Sequence, residues 1–411
     1  MKVTIEDGLK IIKSIVKKKG TEIVPLENAL LRVAAEDKKA SFNLPRFDNS
    51  AMDGYAIRVE DRNKKVKIVD TILAGEKKEI LLNDNFAIKI TTGAKIPKNF
   101  DAVIPIEDAN IFEEYLIVPS SIKKYTNIRR AGEDVKKGDQ ILNNGKKIDA
   151  HTIALLAAFG NSYIKVYKKV RIGIFATGKE LKMHYENIEP HQIYNSNTPL
   201  FYTRAKELGC EVSFLGNSDD NIDSIKKLIK NSLDFDMIIT SGGVSVGEAD
   251  LTKDAFLELG ANILFDKVEI KPGKPTTFAT LNSTYILNLP GNPLAAALNF
   301  EIFGRFIINI LSGREDIYQN YIEAILKENL SNKSKKEVVI PGFFDGKYFS
   351  PSPKRGPGMV SPLSQANGYI ILHRETTTLK DGSNVKFIPI DFEFYSKEQK
   401  ELFTRQRDSL P

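Results

Sequence analysis

The sequence predicts a multidomain α/β protein: a doubly wound, mostly parallel domain, a β-rich insert domain before it and a β-rich domain after it. The chain has 411 residues, too many for one ordinary core. Strand and helix patterns alternate from residue 171 to about residue 311, as in βαβ units. Short β-like runs between Gly, Pro, Asn and Asp turns flank that region on both sides.

The first part of the chain is predicted to be helical. Apolar residues recur at helical spacing in TIEDGLKIIKSIVKKKG, where Thr4 and Asp7 suit a capping box and Gly20 a stop. A second short helix fits LENALLRVAAED. The β-rich texture begins near Phe42, and DAHTIALLAAFG returns to helix.

In the α/β region, the predicted strands are RIGIFA, CEVSFLG, DFDMIIT, TYILNL and strands near ANILFDKVEI. The predicted helices are SNTPLFYTRAKELG, NIDSIKKLIKNSL, LTKDAFLELG and PLAAALNFEIFGRFIINIL. After about residue 319, EVVIPGFF, GYIILH and NVKFIPI are predicted strands.

Composition excludes several classes of function. The net charge of +6 is mild and suits anionic substrates, and without aromatic stacking motifs we expect no nucleic-acid partner. The single cysteine, Cys210, excludes an intramolecular disulfide and a cysteine zinc cluster, and we expect a core thiol. The four histidines lack the spacing of a metal site or a triad.

We also expect a cytoplasmic protein without a membrane partner. The N-terminus carries acids by its sixth residue and has no apolar core segment, so it is not a signal peptide. No apolar run is expected to approach membrane-spanning length, because Arg305 interrupts IFGRFIINIL.

Four loops are expected at the carboxyl ends of the strands, where doubly wound sheets bind ligands: ATGKEL, SGGVSVGEAD, KPGKP and LPGNP. Glycines in the second loop let backbone N–H groups approach an anion. Lys271 and Lys274 suit a phosphate or oxyanion clamp. Asn292 suits the N-cap of a helix starting at Pro293, whose free N–H groups favour an anion. A tight turn is the alternative for any single loop.

Carboxylates accompany these loops. Asp219 ends another strand, Asp250 closes the glycine loop and Glu180 lies in TGKEL. Acids beside a phosphate site are explained by Mg²⁺, which takes carboxylate and phosphate oxygens. The alternative is that Glu248 and Asp250 cap the next helix.

Three strings in the first half are too small and polar for a core: PRFDNSAMDGYAIR, ITTGAKIPKNFDAVIPIED and IRRAGEDVKKGD. They contain Asp53 and Asp134, for which ordinary turns are the alternative.

Taken in order, FDNSAMDGYA, TTGAKIP, RRAGEDV, IYNSNTPL, SGGVSVGEAD, KPGKPT and LPGNP resemble the MoeA family of molybdopterin molybdenumtransferases, related to the E domains of gephyrin and the plant Cnx proteins. The resemblance covers nearly the whole chain. It implies an elongated N-terminal domain (1–43 and 137–170), a β-rich insert (44–136), a doubly wound molybdopterin-binding domain (171–318) and a small C-terminal β-barrel (319–411). It also implies a homodimer whose active site lies between the doubly wound domain of one subunit and the N-terminal part of its partner.

The implied reaction inserts molybdate into adenylylated molybdopterin (adenylyl-molybdopterin), cleaves the pyrophosphate and releases AMP. The cofactor would be Mg²⁺, held by Asp219 and Asp250. Molybdopterin adenylyltransferase and downstream molybdoenzymes would be partners.

The resemblance also implies the other site residues. The catalytic groups would be Asp53, Asp134, Glu180, Lys267, Lys271 and Lys274. The pterin, pyrophosphate or molybdate would be bound by Thr92, Thr177, Gly178, Asn195, Ser196, Ser241, Gly242, Gly243, Val244, Ser245, Gly247, Glu248, Pro290, Gly291, Asn292, Pro293 and Ser361.

Two departures from the family bear on how molybdate is held. After LPGNP the family often has a small hydroxyl residue, whereas Leu294 and two alanines follow here. Met359 and Val360 replace a Gly-Ser-His-like string.

Other functions stay open. A molybdopterin adenylyltransferase shares the doubly wound fold but needs no β-rich flanks, and a sensor would bind pterin or molybdate without turnover. A gephyrin-type scaffold would carry a second α/β domain and a long linker, which we do not expect here.

Overall fold

A computed structural model describes residues 1–78, 80, 85–218, 221–242 and 251–391. The chain forms a multidomain α/β fold with mixed sheets, and the predicted fold class is confirmed. The domain boundaries given above stay predictions.

The N-terminal helix, Ile5–Ile15, begins where the sequence predicts. The Thr4 hydroxyl accepts a hydrogen bond from the Asp7 backbone N–H at 3.0 Å, which satisfies one free N–H of the first turn. The helix ends at Ile15 because Val16 is extended, so the predicted stop at Gly20 was wrong. The buried side of the helix packs into the core of the doubly wound domain.

The second predicted helix was also wrong. Within LENALLRVAAED only Leu26–Ala29 forms a short 3₁₀ turn. Leu31 then takes a positive φ of 63°. Val33 and Ala34 form isolated β-bridges with Lys147 and Val166, respectively. Tertiary pairing therefore overrides the local helical propensity.

The predicted helix after the insert is confirmed as Ala150–Ala158, capped by the Asp149 side chain. The small strands around it pair across the insert, so that both ends of the N-terminal region fold together. These pairs are Thr21–Pro25 with Tyr163–Tyr167, Lys38–Lys39 with Gln140–Leu142, and Asn49–Ser50 with Ile128–Arg129.

The insert is a mixed six-stranded sheet in the described residues. In spatial order its strands are Ala102–Pro105, Gly54–Ile57, Phe86–Ile90, Lys65–Ile72, Tyr115–Ile117 and Asn110–Phe112. Short 3₁₀ turns at Val59–Asp61 and Ile106–Asp108 connect some of them.

The doubly wound sheet has six described strands. In spatial order they are Glu211–Ser218, Arg171–Thr177, Met237–Ser241, Thr284–Leu289, Thr277–Leu281 and Asn262–Phe265. The first four strands pair in parallel. Thr277–Leu281 pairs antiparallel with Thr284–Leu289, and Asn262–Phe265 pairs antiparallel with Thr277–Leu281. The strand Thr277–Leu281, which lies between Thr284–Leu289 and the edge strand Asn262–Phe265, was not predicted.

Helices cover both faces of this sheet, as a doubly wound fold requires. The helix Asn197–Glu207 and the long helix Pro293–Leu311 pack on one face. The helices Ile222–Lys230 and Leu251–Glu258 pack on the other face. Cys210 is buried in the first core, as predicted, and burial raises the pKa of its thiol to about 12. The short strands Leu181–Lys182, Ile193–Tyr194, Lys267–Val268 and Ile270–Lys271 lie outside the sheet.

The long helix consists of Pro293–Asn299, a π-helical turn Phe300–Gly304, and Arg305–Leu311. By length and composition alone it is the one helix in the described ranges that could cross a membrane, so the expectation that no run approaches that length was wrong. However, 89% of its most apolar window is buried inside the protein, and a core helix meets the same criteria.

The C-terminal region forms a closed five-stranded barrel. Around the barrel the strands are Glu337–Phe344, Tyr348–Pro351, Ile322–Leu326, Asn384–Pro389 and Gly368–Leu372, which pairs back to the first. Ile270–Lys271 adds to Glu337–Phe344 in parallel from outside. A short pair, Leu330–Ser331 with Thr378–Leu379, and the helix Ser361–Gln365 complete the region.

Candidate active site

Three of the four predicted loops meet at the carboxyl edge of the parallel strands. ATGKEL, the start of SGGVSVGEAD and LPGNP directly follow Arg171–Thr177, Met237–Ser241 and Thr284–Leu289, which run parallel side by side. KPGKP does not belong to that edge, and this expectation was wrong. The residues before it pair with the N-terminal strand and the barrel instead.

KPGKP nevertheless packs against the long helix that follows LPGNP. An added Cβ at Gly273 would lie 1.8 Å from the Asn299 side-chain nitrogen. The Thr276 hydroxyl donates to Asn299 Oδ1 at 3.0 Å. Asn299 lies six residues after the helix start, about 9 Å along the axis, so this loop and the helix N-terminus lie within one region.

Glycine allows the loops at the edge to approach each other closely. Gly242 has a φ of +98°, and a Cβ there would lie 2.3 Å from the Thr177 carbonyl oxygen. The Gly242 Cα lies 3.5 Å from where a Gly291 Cβ would be. The backbones of all three loops therefore converge at Gly242, where only glycine fits.

Asn197 connects these loops, although its sequence pattern did not predict it as a site residue. Its buried Nδ2 donates to the Gly291 carbonyl at 2.8 Å and to Ser241 Oγ at 3.3 Å. Asn197 lies in IYNSNTPL, beside the two predicted residues Asn195 and Ser196. Proximity in that string was the only available signal.

Several buried polar atoms around the edge have no hydrogen-bond partner among the described residues. They are Thr177 Oγ1, Asn197 Oδ1, Asn288 Nδ2 and Thr252 Oγ1. Asn288 was also missed, and its Oδ1 accepts from the Thr240 hydroxyl at 2.7 Å. Because leaving a buried polar group unpaired is costly, these atoms indicate a place where a polar ligand or water binds.

The first loop brings a carboxylate to the same place. Gly178 has a φ of +146°, and a Cβ there would lie 2.8 Å from both carboxylate oxygens of Glu180. Nearby, the Asn195 side chain accepts from the Thr198 N–H at 3.0 Å and donates to Asn217 Oδ1 at 3.4 Å. Ser196 is the N-cap of the helix Asn197–Glu207 but makes no side-chain cap bond.

In the insert, Asp53 and Thr92 are brought together. The Thr92 N–H and hydroxyl donate to Asp53 Oδ1 at 2.7 and 2.9 Å. These bonds, the backbone one first, hold the pKa of the exposed Asp53 carboxyl below its usual value. Asp134 is exposed in a turn, and its backbone N–H donates to the Leu44 carbonyl oxygen.

The three predicted lysines are exposed and form no ion pair with any described residue. Lys267 lies in a strand paired with Lys2–Val3, and Lys271 pairs with Val338 of the barrel. The Lys274 carbonyl accepts from the Val268 N–H at 2.9 Å, which closes the turn between them. All three cations therefore remain available to an anion.

The helix after LPGNP starts at Pro293 with Asn292 as N-cap, as predicted, although the Asn292 side chain makes no cap bond. The expectation of free N–H groups at this helix start was wrong for two residues. The Leu294 and Ala295 N–H groups both donate to the Pro357 carbonyl, at 3.0 and 3.4 Å. The C-terminal loop therefore occupies the place where an anion was expected.

That loop contains the second departure from the family. The Met359 sulfur accepts a hydrogen bond from the Gly356 N–H at 3.3 Å, and a Gly358 Cβ would lie 3.4 Å from Asn292 Oδ1. Ser361 starts the next helix, four residues after Pro357. The structure thus brings together the two places where the sequence leaves its family's pattern.

Part of the predicted site lies outside the described residues. This holds for both predicted metal ligands and for most of the glycine loop: Asp219, Asp250, Gly243, Val244, Ser245, Gly247 and Glu248. The described neighbours are oxygen donors, including the Glu180 carboxylate and the unpartnered oxygens of Thr177 and Asn197. This donor set fits Mg²⁺, which prefers oxygen ligands. No cluster of three or more His, Cys, Asp or Glu that could hold a metal occurs within the described ranges.

Three family profiles match the chain. They are the MoeA N-terminal region (domain I and II) over residues 3–160, the probable molybdopterin binding domain over 173–309, and the MoeA C-terminal region (domain IV) over 323–390.

Similar proteins extend over nearly the full length. A molybdopterin molybdenumtransferase of Staphylococcus epidermidis is 33% identical over 409 residues, covering 96% of this chain and 97% of the relative. One from Staphylococcus aureus is 33% identical and covers 89% and 90%. The crystal structure of the molybdopterin biosynthesis MoeA protein from Pyrococcus horikosii is 29% identical, covers 96% and 100%, and has a TM-score of 0.83.

These relatives confirm the predicted enzyme class, a transferase of molybdenum-cofactor biosynthesis. The match includes both β-rich flanks as well as the doubly wound domain. The chain belongs to the MoeA family.

Proposed function

We propose that the chain inserts molybdate into adenylylated molybdopterin, cleaving the pyrophosphate and releasing AMP to give molybdenum cofactor. The observation that carries this proposal is the convergence of three loops at Gly242, near buried polar atoms that have no hydrogen-bond partner among the described residues. Such a site suits a ligand that carries both a polar ring and phosphates.

Different groups would recognise different parts of the substrate. Asn197, Asn288 and Thr177 offer hydrogen bonds that no described residue uses, and they would bind the pterin or its phosphates. Lys267, Lys271 and Lys274 are exposed cations that form no ion pair with a described residue, and they would attract the pyrophosphate and the molybdate dianion. These charges favour binding of both anionic substrates.

Mg²⁺ would be held by Asp219 and Asp250 with oxygen donors such as Glu180 nearby. When bound, the ion would neutralise and polarise the pyrophosphate. Asp53 and Asp134 lie in the N-terminal half and hydrogen-bond there. They would complete the site from the partner subunit of a homodimer, as the family resemblance implies.

We further propose a cytoplasmic enzyme that receives its pterin from molybdopterin adenylyltransferase and passes the cofactor to molybdoenzymes. The product of an adenylyltransferase is the substrate assigned here, which makes direct transfer chemically reasonable.

The test is AMP release by the purified protein from adenylylated molybdopterin and Mg²⁺, with and without molybdate. We expect a molybdate-dependent release that chelation abolishes and added Mg²⁺ restores. Glu180→Gln should raise the Mg²⁺ concentration required for half-maximal rate, whereas Glu189→Gln, an exposed acid of the same region, should not.

Two results would assign another function. Pyrophosphate release from ATP and unadenylated pterin would indicate an adenylyltransferase. Tight pterin binding without AMP release at any molybdate concentration would indicate a sensor.

A further inference from the structure

A separate cavity lies between the N-terminal region and the doubly wound domain. Its volume, counted as the space that the centre of a water molecule can reach, is about 20 Å³. One ordered water needs ~10–15 Å³ by the same measure. The lining comes from both regions: Leu31, Arg32, Val33, Lys147, Tyr167, Lys168, Lys169, Val170, Leu208, Gly209, Cys210, Ser312 and Arg314. None of these residues belongs to the candidate active site.

The charged residues that line this cavity are all cationic: Arg32, Lys147, Lys168, Lys169 and Arg314. Three nearby acids are already engaged, whereas Glu315, next to Arg314, is exposed and forms no ion pair with a described residue. Glu22 pairs with Arg32, and Asp316 accepts two bonds from Arg314 at 2.9 and 2.6 Å. Asp236, close to Cys210, pairs with Lys19. The engaged acids leave the lysines of the lining without a counter-ion among the described residues.

Lys147 is the central group of this cluster. It is half-buried and forms no ion pair with a described residue. Burial first, and then repulsion by Arg314 and Arg305, lowers the pKa of its ammonium group, and attraction by the Asp316 carboxylate offsets only part of this effect. A half-buried cation facing other cations is unfavourable unless an anion binds beside it.

We propose that this cavity is a second anion site, which binds a free inorganic tetrahedral dianion such as phosphate or sulfate. The donors come from separate segments: Lys147 offers its ammonium group, and Arg314 offers Nη1, because its Nε and Nη2 already donate to Asp316. The exposed Lys168 and Lys169 add positive charge at the mouth. The small volume favours a free dianion over a nucleotide.

The site would link two parts of the fold. Lys147 belongs to the N-terminal region, whereas Arg314 follows the end of the long helix. An anion bound to both should therefore stabilise the folded protein by mass action.

The experiment is a thermal denaturation series of the full chain in sodium phosphate and in sodium chloride at equal ionic strength. We expect Tm to rise with phosphate in the wild type and in Lys146→Met, an exposed neighbour outside the lining. Lys147→Met should lose the phosphate-dependent rise and weaken phosphate binding by about tenfold or more. Without phosphate its Tm should not fall, because a repelled charge has been removed.

A further arm separates this site from the proposed active site. Lys271→Met should keep the phosphate-dependent rise in Tm. Loss of the rise in Lys271→Met with retention in Lys147→Met would overturn the proposal.

A wild-type readout avoids any folding defect of the variants. Crystals soaked in selenate should show anomalous density between Lys147 and Arg314. Soaked crystals with ordered side chains and no density there would also overturn the proposal.

Discussion

The carbonyl oxygen of Pro357 accepts a hydrogen bond from the Leu294 backbone N–H at 3.0 Å, so a loop of the C-terminal region caps the helix that begins in the doubly wound domain. The second N–H, of Ala295, shares this acceptor. The two sequence departures, at Leu294 and at Met359, therefore lie on either side of one contact. By the family resemblance, both departures bear on how molybdate is held.

The first prediction concerns Met359. Its sulfur accepts from Gly356 N–H, so Met359→Ala should loosen the loop that presents Pro357. We expect KM for molybdate to rise by about 2- to 10-fold, the range for one net hydrogen bond, with little change in kcat. Val360→Ala, at the exposed neighbouring residue, is the control. An unchanged KM in Met359→Ala would show that this loop does not position molybdate.

The second prediction concerns the pKa of Asp53. Because the Thr92 bonds lower this pKa below 3.8, the folded state favours the carboxylate. The resulting stability is present above about pH 4 and is lost as the pH falls through the folded-state pKa. Thr92→Val removes the hydroxyl bond and should raise the pKa of Asp53, whereas Thr92→Ser should not. Carboxyl carbon NMR titration measures both.

A companion variant tests whether Asp53 acts in the reaction. Asp53→Asn should slow AMP release by about 100-fold or more if the carboxylate takes part in proton transfer. Asp108→Asn, at an exposed acid of the same insert, controls for lost charge. Full activity of Asp53→Asn would remove it from the catalytic groups.

The third prediction concerns Gly242. Gly242→Ala forces a positive φ on alanine and places its Cβ 2.3 Å from the Thr177 carbonyl oxygen. Gly260→Ala has a φ of +82° but open space around it, so its cost is backbone strain of about 1–3 kcal/mol. We expect a larger loss of unfolding free energy for Gly242→Ala, together with loss of AMP release. Urea titration of both variants measures the loss of unfolding free energy with the clash and without it. Equal losses would contradict the close approach of residue 242 to the Thr177 carbonyl oxygen.

The fourth prediction concerns Asn197. Asn197→Asp keeps the shape but replaces the amide donor to Gly291 and Ser241 with a negative charge. We expect binding of adenylylated molybdopterin to weaken by about tenfold or more. Asn309→Asp, equally buried and donating to Ile317 at the other end of the long helix, should lower stability but leave binding unchanged. Equal affinities for the two variants would exclude Asn197 from the site.

The alternation of strand and helix patterns predicted much of the fold from the sequence. The strands Arg171–Thr177 and Met237–Ser241 are almost entirely buried and mostly apolar, and a local pattern reveals such runs. The strand Thr277–Leu281 was missed because it runs antiparallel between two strands of a sheet predicted to be mostly parallel. The end of the first helix was misplaced because packing, rather than Gly20, turns the chain at Val16.

The candidate site was harder to predict for a physical reason. Glycines and lysines in loops carry a local signal, so ATGKEL and LPGNP were found. The Pro357 contact joins residues 63 positions apart in the chain, and no local pattern encodes it. Asn197 and Asn288 were missed because an asparagine shows its role only when its neighbours across the sheet are known.

The strand Ile270–Lys271 adds to the barrel strand Glu337–Phe344 from outside, and this pairing limits how the protein can be divided. A truncated chain lacking the barrel would lose the backbone partner of Lys271 as well as the Pro357 cap. The barrel therefore cannot be treated as a removable module, and chimaeras between family members should exchange residues 270–274 together with it.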